Sequence, residues 1–150
     1  MIGGIHMNNL ANHILHRANQ LNKPITNLQL QKVWYFTLGY LINQGYKKEA
    51  EKEFAGSNLQ AWLYGPVIPD LYEKYKEYKS TPIQDEGCKI SDYTDPEIQN
   101  MIDKLIMMNP FTLVDMSHTH TLWVENKNAI ENNGYRPKYR FENLEETFNG

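Results

Sequence analysis

Two pairs of histidines are the side chains whose type and spacing come closest to a chemical site. His13 and His16 stand one helical turn apart, a spacing at which two imidazoles can share a metal ion. Both lie opposite the apolar arc of the helix that we predict here, so we expect them to face solvent. Because no third ligand accompanies them at a recognised spacing, we predict no metal site.

His118 and His120 form the second pair. Two residues apart on a helix, their side chains point in different directions. Ser117 precedes them, but the strand–turn–helix elbow that exposes a nucleophilic serine is missing around it. We therefore expect a structural His118, bonded to backbone near the end of its helix.

The remaining reactive groups are isolated from one another. Cys88 sits in a polar loop beside Lys89 and has no base grouped with it. The carboxylates are scattered over predicted solvent faces, and the glycines form no phosphate-binding loop. The sequence thus predicts no catalytic residue and no cofactor, and indicates that the protein is not an enzyme.

The tail segment from Arg136 to Phe141 mixes basic and aromatic residues. Such a run could contact a nucleic-acid backbone and stack on bases, or it could be a charged edge strand guarded against aggregation. The net charge of −3, from 15 basic and 18 acidic side chains, favours the edge strand. We expect at most weak, salt-sensitive DNA binding.

Size and composition indicate one domain in a reducing compartment. The chain has 150 residues, the usual size of a single domain. Its single cysteine excludes an internal disulfide, and it lacks a run of about 18 apolar residues that could cross a membrane. We expect a cytoplasmic protein with a disordered or non-native start at 1–7 and one domain over 8–150.

One segment predicts the centre of the fold. Thr26 and Gln29 have the spacing of a capping box, and the helix that follows, at 27–43, is apolar on every side. Such a helix is buried in the middle of a domain. We predict that Leu30, Val33, Phe36 and Tyr40 are buried, and that Gly39 marks a close helix crossing. The fold class is mainly α, a compact single-domain helical bundle around this central helix with short extended segments.

The rest of the chain alternates short helices with turns and extended pieces. Residues 47–52 are a solvated charged stretch. Gly65-Pro66 breaks an extended segment at 59–64 and is expected to fix a turn. Further helices are predicted at 10–22, from Pro69, from Pro96, at 112–118 and within 122–132. A polar loop at 80–92 could hold a small hairpin around Glu86-Gly87, and 139–141 is extended.

Three segments together resemble one known family. The first is Ile25-Thr26-Asn27-Leu28-Gln29-Leu30-Gln31-Lys32-Val33-Trp34-Tyr35-Phe36, with Gly39-Tyr40 after it. The second is Ala61-Trp62-Leu63-Tyr64-Gly65-Pro66-Val67-Ile68-Pro69, with Leu71-Tyr72 after it. The third is Leu113 to Trp123, with Ser117-His118 inside it. In this order they resemble the Panacea domain of SocA-like antitoxins and phage-associated proteins, over roughly residues 8–125.

The resemblance assigns a structural part to the motif residues. They are Thr26, Leu30, Gln31, Lys32, Tyr35, Phe36, Gly39, Tyr40, Gly65, Pro66 and His118. Three positions depart from the family's pattern. Trp34 stands where an aliphatic residue is common, Leu122 replaces the usual proline, and His120 falls where an acidic or polar residue is typical.

The resemblance implies an antitoxin that binds a cognate protein toxin and silences it. It leaves two alternatives, an adaptor that delivers the toxin to an ATP-dependent protease and a DNA-binding repressor of its own operon. A mildly acidic, aromatic-rich helical domain fits a clamp for a basic toxin. Interfaces favour aromatic anchors, and we predict partner contacts at Trp62, Tyr64, Asp70 and Trp123.

Overall fold

A computed structural model describes residues 9–149. The start predicted as disordered or non-native, at 1–7, lies outside these residues. Within them, nine α-helices and one two-stranded antiparallel sheet form a mainly helical domain, which confirms the predicted fold class. Over the same residues, no helix has the length and apolar character needed to span a bilayer.

The elements follow one another with short connections. The helices are α1 (Asn9–Gln20), α2 (Asn27–Asn43), α3 (Lys47–Ala55), α4 (Pro69–Tyr75), α5 (Pro96–Met107), α6 (Pro110–Ser117), α7 (Thr121–Glu125), α8 (Lys127–Asn133) and α9 (Phe141–Asn149). The strands are β1 (Gln60–Trp62) and β2 (Gly65–Val67), and short 3-10 turns cover Lys76–Tyr78 and Ser91–Tyr93.

Helix α2 begins at the predicted capping box and runs through the middle of the domain. The Thr26 hydroxyl accepts from the Gln29 amide at 3.2 Å, and the Gln29 side chain accepts from the Thr26 amide at 2.9 Å. Leu30, Val33 and Phe36 are buried as predicted, whereas Tyr40 is only half-buried near the end of the helix.

Six helices and strand β2 pack around α2. At Gly39 the ring of Phe148 from α9 occupies the space that a Cβ atom would need. This confirms the close helix crossing predicted at Gly39. A central helix covered on all sides explains why its sequence is apolar all round.

The segment around Gly65 forms a hairpin, not the break that we predicted. Leu63 and Tyr64 make the turn between β1 and β2, and Gly65 follows with φ +100, a conformation that favours glycine. Pro66 is tolerated inside β2 because it faces Ala61, whose amide donates to the Pro137 carbonyl on the opposite side at 2.8 Å. The missing amide of Pro66 therefore costs the hairpin no hydrogen bond.

The tail supplies a third strand-like piece beside β1. Lys138 forms an isolated antiparallel bridge with Gln60, and the Tyr139 amide donates to the Leu59 carbonyl at 2.9 Å. Strand β1 is thus paired on both edges. The extended piece lies slightly earlier than the predicted 139–141, and α9 follows it.

Three local predictions need correction. The charged stretch 47–52 is part of helix α3, in which Glu53 is buried and accepts from the Leu10 amide and the Tyr93 hydroxyl. The hairpin around Glu86-Gly87 is not formed, because the loop instead packs on α1, where the Cys88 amide donates to the Asn12 carbonyl. The helix expected within 122–132 is divided at Asn126 into α7 and α8.

The prediction that His13 and His16 face solvent is wrong for His13, which is fully buried. Its Nδ1 accepts from the Ile90 amide at 3.0 Å, and its Nε2 lies 3.2 Å from the Gln99 side-chain oxygen. Burial lowers the pKa of His13 to about 4, so the ring is neutral at pH 7 and Nε2–H is the donor to Gln99. The polar arc of α1 is covered by α5 and the loop after α4.

Candidate partner-binding groove

A groove of about 1030 Å³ lies beside the β-hairpin. It is bordered by the first turns of α2, the hairpin turn, α4 with the 3-10 turn after it, the start of α6, and the segment that follows α8. We call this surface the aromatic groove. It is lined chiefly by Asn27, Gln31, Lys32, Trp62, Leu63, Tyr64, Tyr72, Lys76, Lys79, Phe111, Ile130, Glu131, Tyr135 and Arg136.

The exposed aromatic side chains of residues 9–149 gather in this groove. Four are more than a third exposed: Phe111 at 60%, Tyr64 at 58%, Tyr135 at 51% and Tyr72 at 37%. All four line it, although they come from four separate parts of the chain. Contiguous exposed apolar surface of this kind marks interaction sites, whereas scattered exposed residues need no explanation.

Trp62 lies half-buried in the groove and is held on two sides. Its indole meets the ring of Tyr72 edge-on, with centroids 5.1 Å apart, and the guanidinium carbon of Arg136 lies 3.7 Å from the centre of its ring. The indole N–H donates to the Gln60 side chain at 2.9 Å. The tryptophan is therefore oriented before any partner arrives.

Two amide side chains of α2 fix the position of α4. Gln31 accepts from the Ile68 amide at 2.8 Å and donates to Asn27 at 3.1 Å. Asn27 in turn donates to the Tyr72 carbonyl at 3.1 Å. Both side chains are buried, where unpaired backbone groups would be costly. The polar positions of the first motif thus tie the central helix to the segment that carries Tyr72.

Lys32 fixes the hairpin to the same helix. The side chain is fully buried, and its Nζ donates to the Pro66 carbonyl at 2.8 Å. Burial lowers the pKa of Lys32 to about 7, because a buried ammonium loses its hydration. A Cβ atom at Gly65 would crowd both Lys32 and Ser117, so this glycine is required by space as well as by its backbone conformation.

His118 and Trp123 hold the hairpin from the other side. The two rings stack with centroids 3.8 Å apart. His118 Nε2 lies 3.0 Å from the Leu63 carbonyl and must donate to it, and the Trp123 indole donates to the Trp62 carbonyl at 3.0 Å. The structural role that we predicted for His118, bonded to backbone at the end of α6, matches this geometry.

Ser117 and His120 are engaged elsewhere. The Ser117 hydroxyl donates to the Val114 carbonyl at 2.7 Å, and the Tyr35 hydroxyl lies 2.7 Å from His120 Nδ1. Both hydroxyls belong to fully buried residues. Over residues 9–149, no three His, Cys, Asp or Glu side chains come together as a metal-binding group.

The groove differs in charge from the whole chain. Four basic side chains line it, the exposed Lys76, Lys79 and Arg136 and the buried Lys32, against the single acidic Glu131. The chain as a whole carries −3. A partner segment that enters this groove therefore meets positive charge, contrary to the basic partner that the overall composition favours.

Residues 30–124 match the sequence profile of the family described as "Antitoxin SocA-like, Panacea domain". The chain belongs to this family. The match covers most of α2, the hairpin, α4 and the start of α6, and so includes the greater part of the Panacea domain's groove.

One curated relative is Antitoxin SocA of Caulobacter vibrioides (strain NA1000 / CB15N). It is 28% identical to this Panacea domain over 124 residues, a match that covers 73% of this chain and 63% of the relative. The chain thus spans less than two thirds of the relative's length. No solved structure matches the chain.

The partner contacts predicted for this Panacea domain have different positions in the structure. Trp62 and Tyr64 line the groove, and Asp70 is exposed on α4 but is not among the lining residues. Trp123 is only 3% exposed, and we withdraw it as partner surface. Its indole is used to hold the hairpin, and its ring is covered by His118.

The sequence did not indicate Phe111, Tyr135 or Arg136 as members of the same surface. Phe111 follows a helix-starting proline, and Tyr135 follows Gly134 at the end of α8. Tyr135 and Arg136 also lie beyond the residues matched to the Panacea profile. The one available signal was the mixture of basic and aromatic residues in the tail, whose partner strand could not be deduced.

Proposed function

We propose that this protein is an antitoxin that neutralises a cognate protein toxin by direct binding, and that the aromatic groove is the contact surface. Membership of the SocA-like family supports the antitoxin role. The observation that carries the proposed surface is the meeting of all four exposed aromatic side chains in one groove. Tyrosine and tryptophan are the residues in which interfaces concentrate their energy.

The construction of the groove suits binding without a large rearrangement. The hairpin and α4 are fixed to α2 by hydrogen bonds of Lys32, Gln31 and Asn27. The hairpin turn is fixed by hydrogen bonds of Trp123 and His118. Less conformational freedom is lost on binding when a surface is held in place beforehand. This function needs no catalytic step, and it takes place in the cytoplasm, where the toxin would be made.

A nucleic-acid partner is the second candidate, because both basic and aromatic side chains line the groove. The exposed aliphatic side chain of Leu63 in the lining favours a protein instead, since apolar side chains of a partner can cover it. Delivery of the toxin to an ATP-dependent protease would add a second contact surface, for which no feature of residues 9–149 argues specifically.

Co-expression with the small protein encoded beside it tests the proposed function. We expect that this neighbour stops growth when expressed alone, that the antitoxin restores growth, and that the two proteins co-purify as a stoichiometric complex. Loss of the toxin's messenger without a protein complex would contradict direct neutralisation and would favour the operon repressor. If the antitoxin does not relieve the growth arrest, the proposed function is wrong.

A further inference from the structure

Arg136 is an exposed cation of the groove whose guanidinium donates no hydrogen bond to a residue of 9–149. Its guanidinium carbon lies 3.7 Å from the centre of the Trp62 ring, and the residue is exposed. None of the ion pairs formed among residues 9–149 involves Arg136. A guanidinium that lies over an aromatic ring still directs its N–H donors outward, in its own plane.

The other exposed cations of the groove leave room for further negative charge. Lys79 forms no ion pair with the described residues, whereas Lys76 pairs with Glu73 on its own helical segment at 2.9 Å. Lys32 lies beneath them, fully buried, and already donates to the Pro66 carbonyl. The acidic groove residue, Glu131, is outnumbered. Because the cations are separated from one another, they suit a partner segment that carries several carboxylates better than a chain end that carries one.

From this arrangement we infer that the groove binds an internal acidic segment of the partner, in which aspartate or glutamate residues alternate with aromatic or aliphatic ones, and that Arg136 on Trp62 receives one of its carboxylates. The carboxylate would meet the fork of N–H donors in two parallel hydrogen bonds. The neighbouring apolar side chains would pack on Tyr64, Tyr135 and Phe111. This inference rests on the proposed function and gives the partner its chemistry.

The apolar part of the lining decides between a protein segment and a nucleic acid. Leu63 and Phe111 present exposed surface without hydrogen-bonding groups. Removing this surface from water stabilises a complex only if the partner is apolar there. An acidic peptide offers both carboxylates and apolar side chains. Nucleic acid offers phosphates, sugars and bases but no aliphatic side chains of comparable size.

Two synthetic peptides test the inference on the full chain. The acidic probe is acetyl-Trp-Glu-Leu-Glu-Phe-amide, and its matched neutral version replaces both glutamates with glutamine. We expect the acidic peptide to bind about tenfold more tightly by titration calorimetry at low salt, as loss of a charge-assisted pair implies. Nitrogen-15 spectra should show the largest shifts at the side chains of Arg136 and Trp62.

Two arginine variants give the matched control. Arg136→Gln should remove the tenfold preference for the acidic peptide, whereas Arg140→Gln, at an exposed arginine of the same tail outside the groove, should keep it. Equal binding of the two peptides, binding of neither, or an unchanged preference in Arg136→Gln would overturn the inference. So would tighter binding of a ten-residue thymidine oligonucleotide, which would identify a nucleic-acid site.

The toxin itself separates this inference from the proposed function. If the antitoxin neutralises the toxin and the Arg136→Gln variant does so equally well, the inference that Arg136 receives a carboxylate is wrong and the antitoxin role stands. If the acidic peptide binds as expected but no toxin complex forms, the groove chemistry is right and the proposed function is wrong.

Discussion

At the scale of single residues, Lys32 joins the fold to the groove. Its ammonium group is fully buried and has one acceptor, the Pro66 carbonyl, which lies in the hairpin that carries Tyr64. Burying a charge with so little compensation costs free energy. Burial of Lys32 therefore lowers the stability of the fold, while its hydrogen bond holds the hairpin against α2.

We expect this cost to appear in the pH dependence of stability. The pKa of Lys32 falls from 10.5 to about 7 on folding, so between these values the unfolded chain binds more protons and the stability of the fold rises with pH. The penalty is fully present below pH 7 and disappears as pH passes 10.5. Relative to Lys32→Met, the wild type should gain about 2 kcal/mol of unfolding free energy between pH 7 and 9.

Urea unfolding of the two proteins at pH 7 and at pH 9 measures this difference. Lys48→Met is the matched control, because Lys48 is exposed on α3 and away from the groove, and it should follow the wild type at both values. If the wild type and Lys32→Met change equally between pH 7 and 9, the lysine is already hydrated in the folded protein and its place beneath the groove is wrong.

At the scale of elements, the hairpin is held from two sides, by α2 and by α7. Trp123 of α7 donates to the Trp62 carbonyl, and its ring stacks on His118. We expect Trp123→Phe to keep the stacked ring and lose the donor. The change should cost about 1–3 kcal/mol of stability, because the Trp62 carbonyl loses this donor and the smaller ring leaves a space in the core.

Hydrogen exchange locates that loss. Amides of the hairpin and of the paired tail segment around Lys138 should exchange faster in Trp123→Phe, while amides in the middle of α2 keep their protection apart from the global change. Uniform loss of protection across the domain would mean that Trp123 serves the general core and does not position the hairpin in particular.

The elements most accurately predicted are those whose signal is local. The capping box at Thr26 and Gln29 and the apolar run after it defined α2, because a helix start and a buried helix each have a pattern within one segment. Asp95 and Pro96 defined the start of α5 in the same way, and the Asp95 side chain accepts from the Glu97 amide.

The elements that were misread depend on distant parts of the chain. His13 was assigned to a solvent face because α1 alone shows one apolar arc, but α5 and the loop around Cys88 cover its other side. The sequence predicts a break at Pro66 because it does not show that the missing amide points away from β1. The sequence does not show that Trp123 is buried, because the carbonyl that its indole bonds lies in another element.

At the scale of the whole molecule, charge and aromatic surface are distributed unevenly. The chain carries −3, yet the groove is lined by four basic residues and one acidic residue. Part of the groove was predictable, since Trp62 and Tyr64 belong to a family motif. Phe111, Tyr135 and Arg136 were not, because only the folded chain brings α6 and the tail beside the hairpin.

The central claim is that the aromatic groove binds the toxin. Its most direct test is the dissociation constant of the complex with the toxin for Tyr64→Ala, beside Met107→Ala as control. Tyr64 and Met107 are both largely exposed, but only Tyr64 lines the groove. We expect Tyr64→Ala to weaken binding about thirtyfold, since an aromatic anchor contributes about 2 kcal/mol, while Met107→Ala binds like the wild type. Equal affinity of all three proteins would contradict the account.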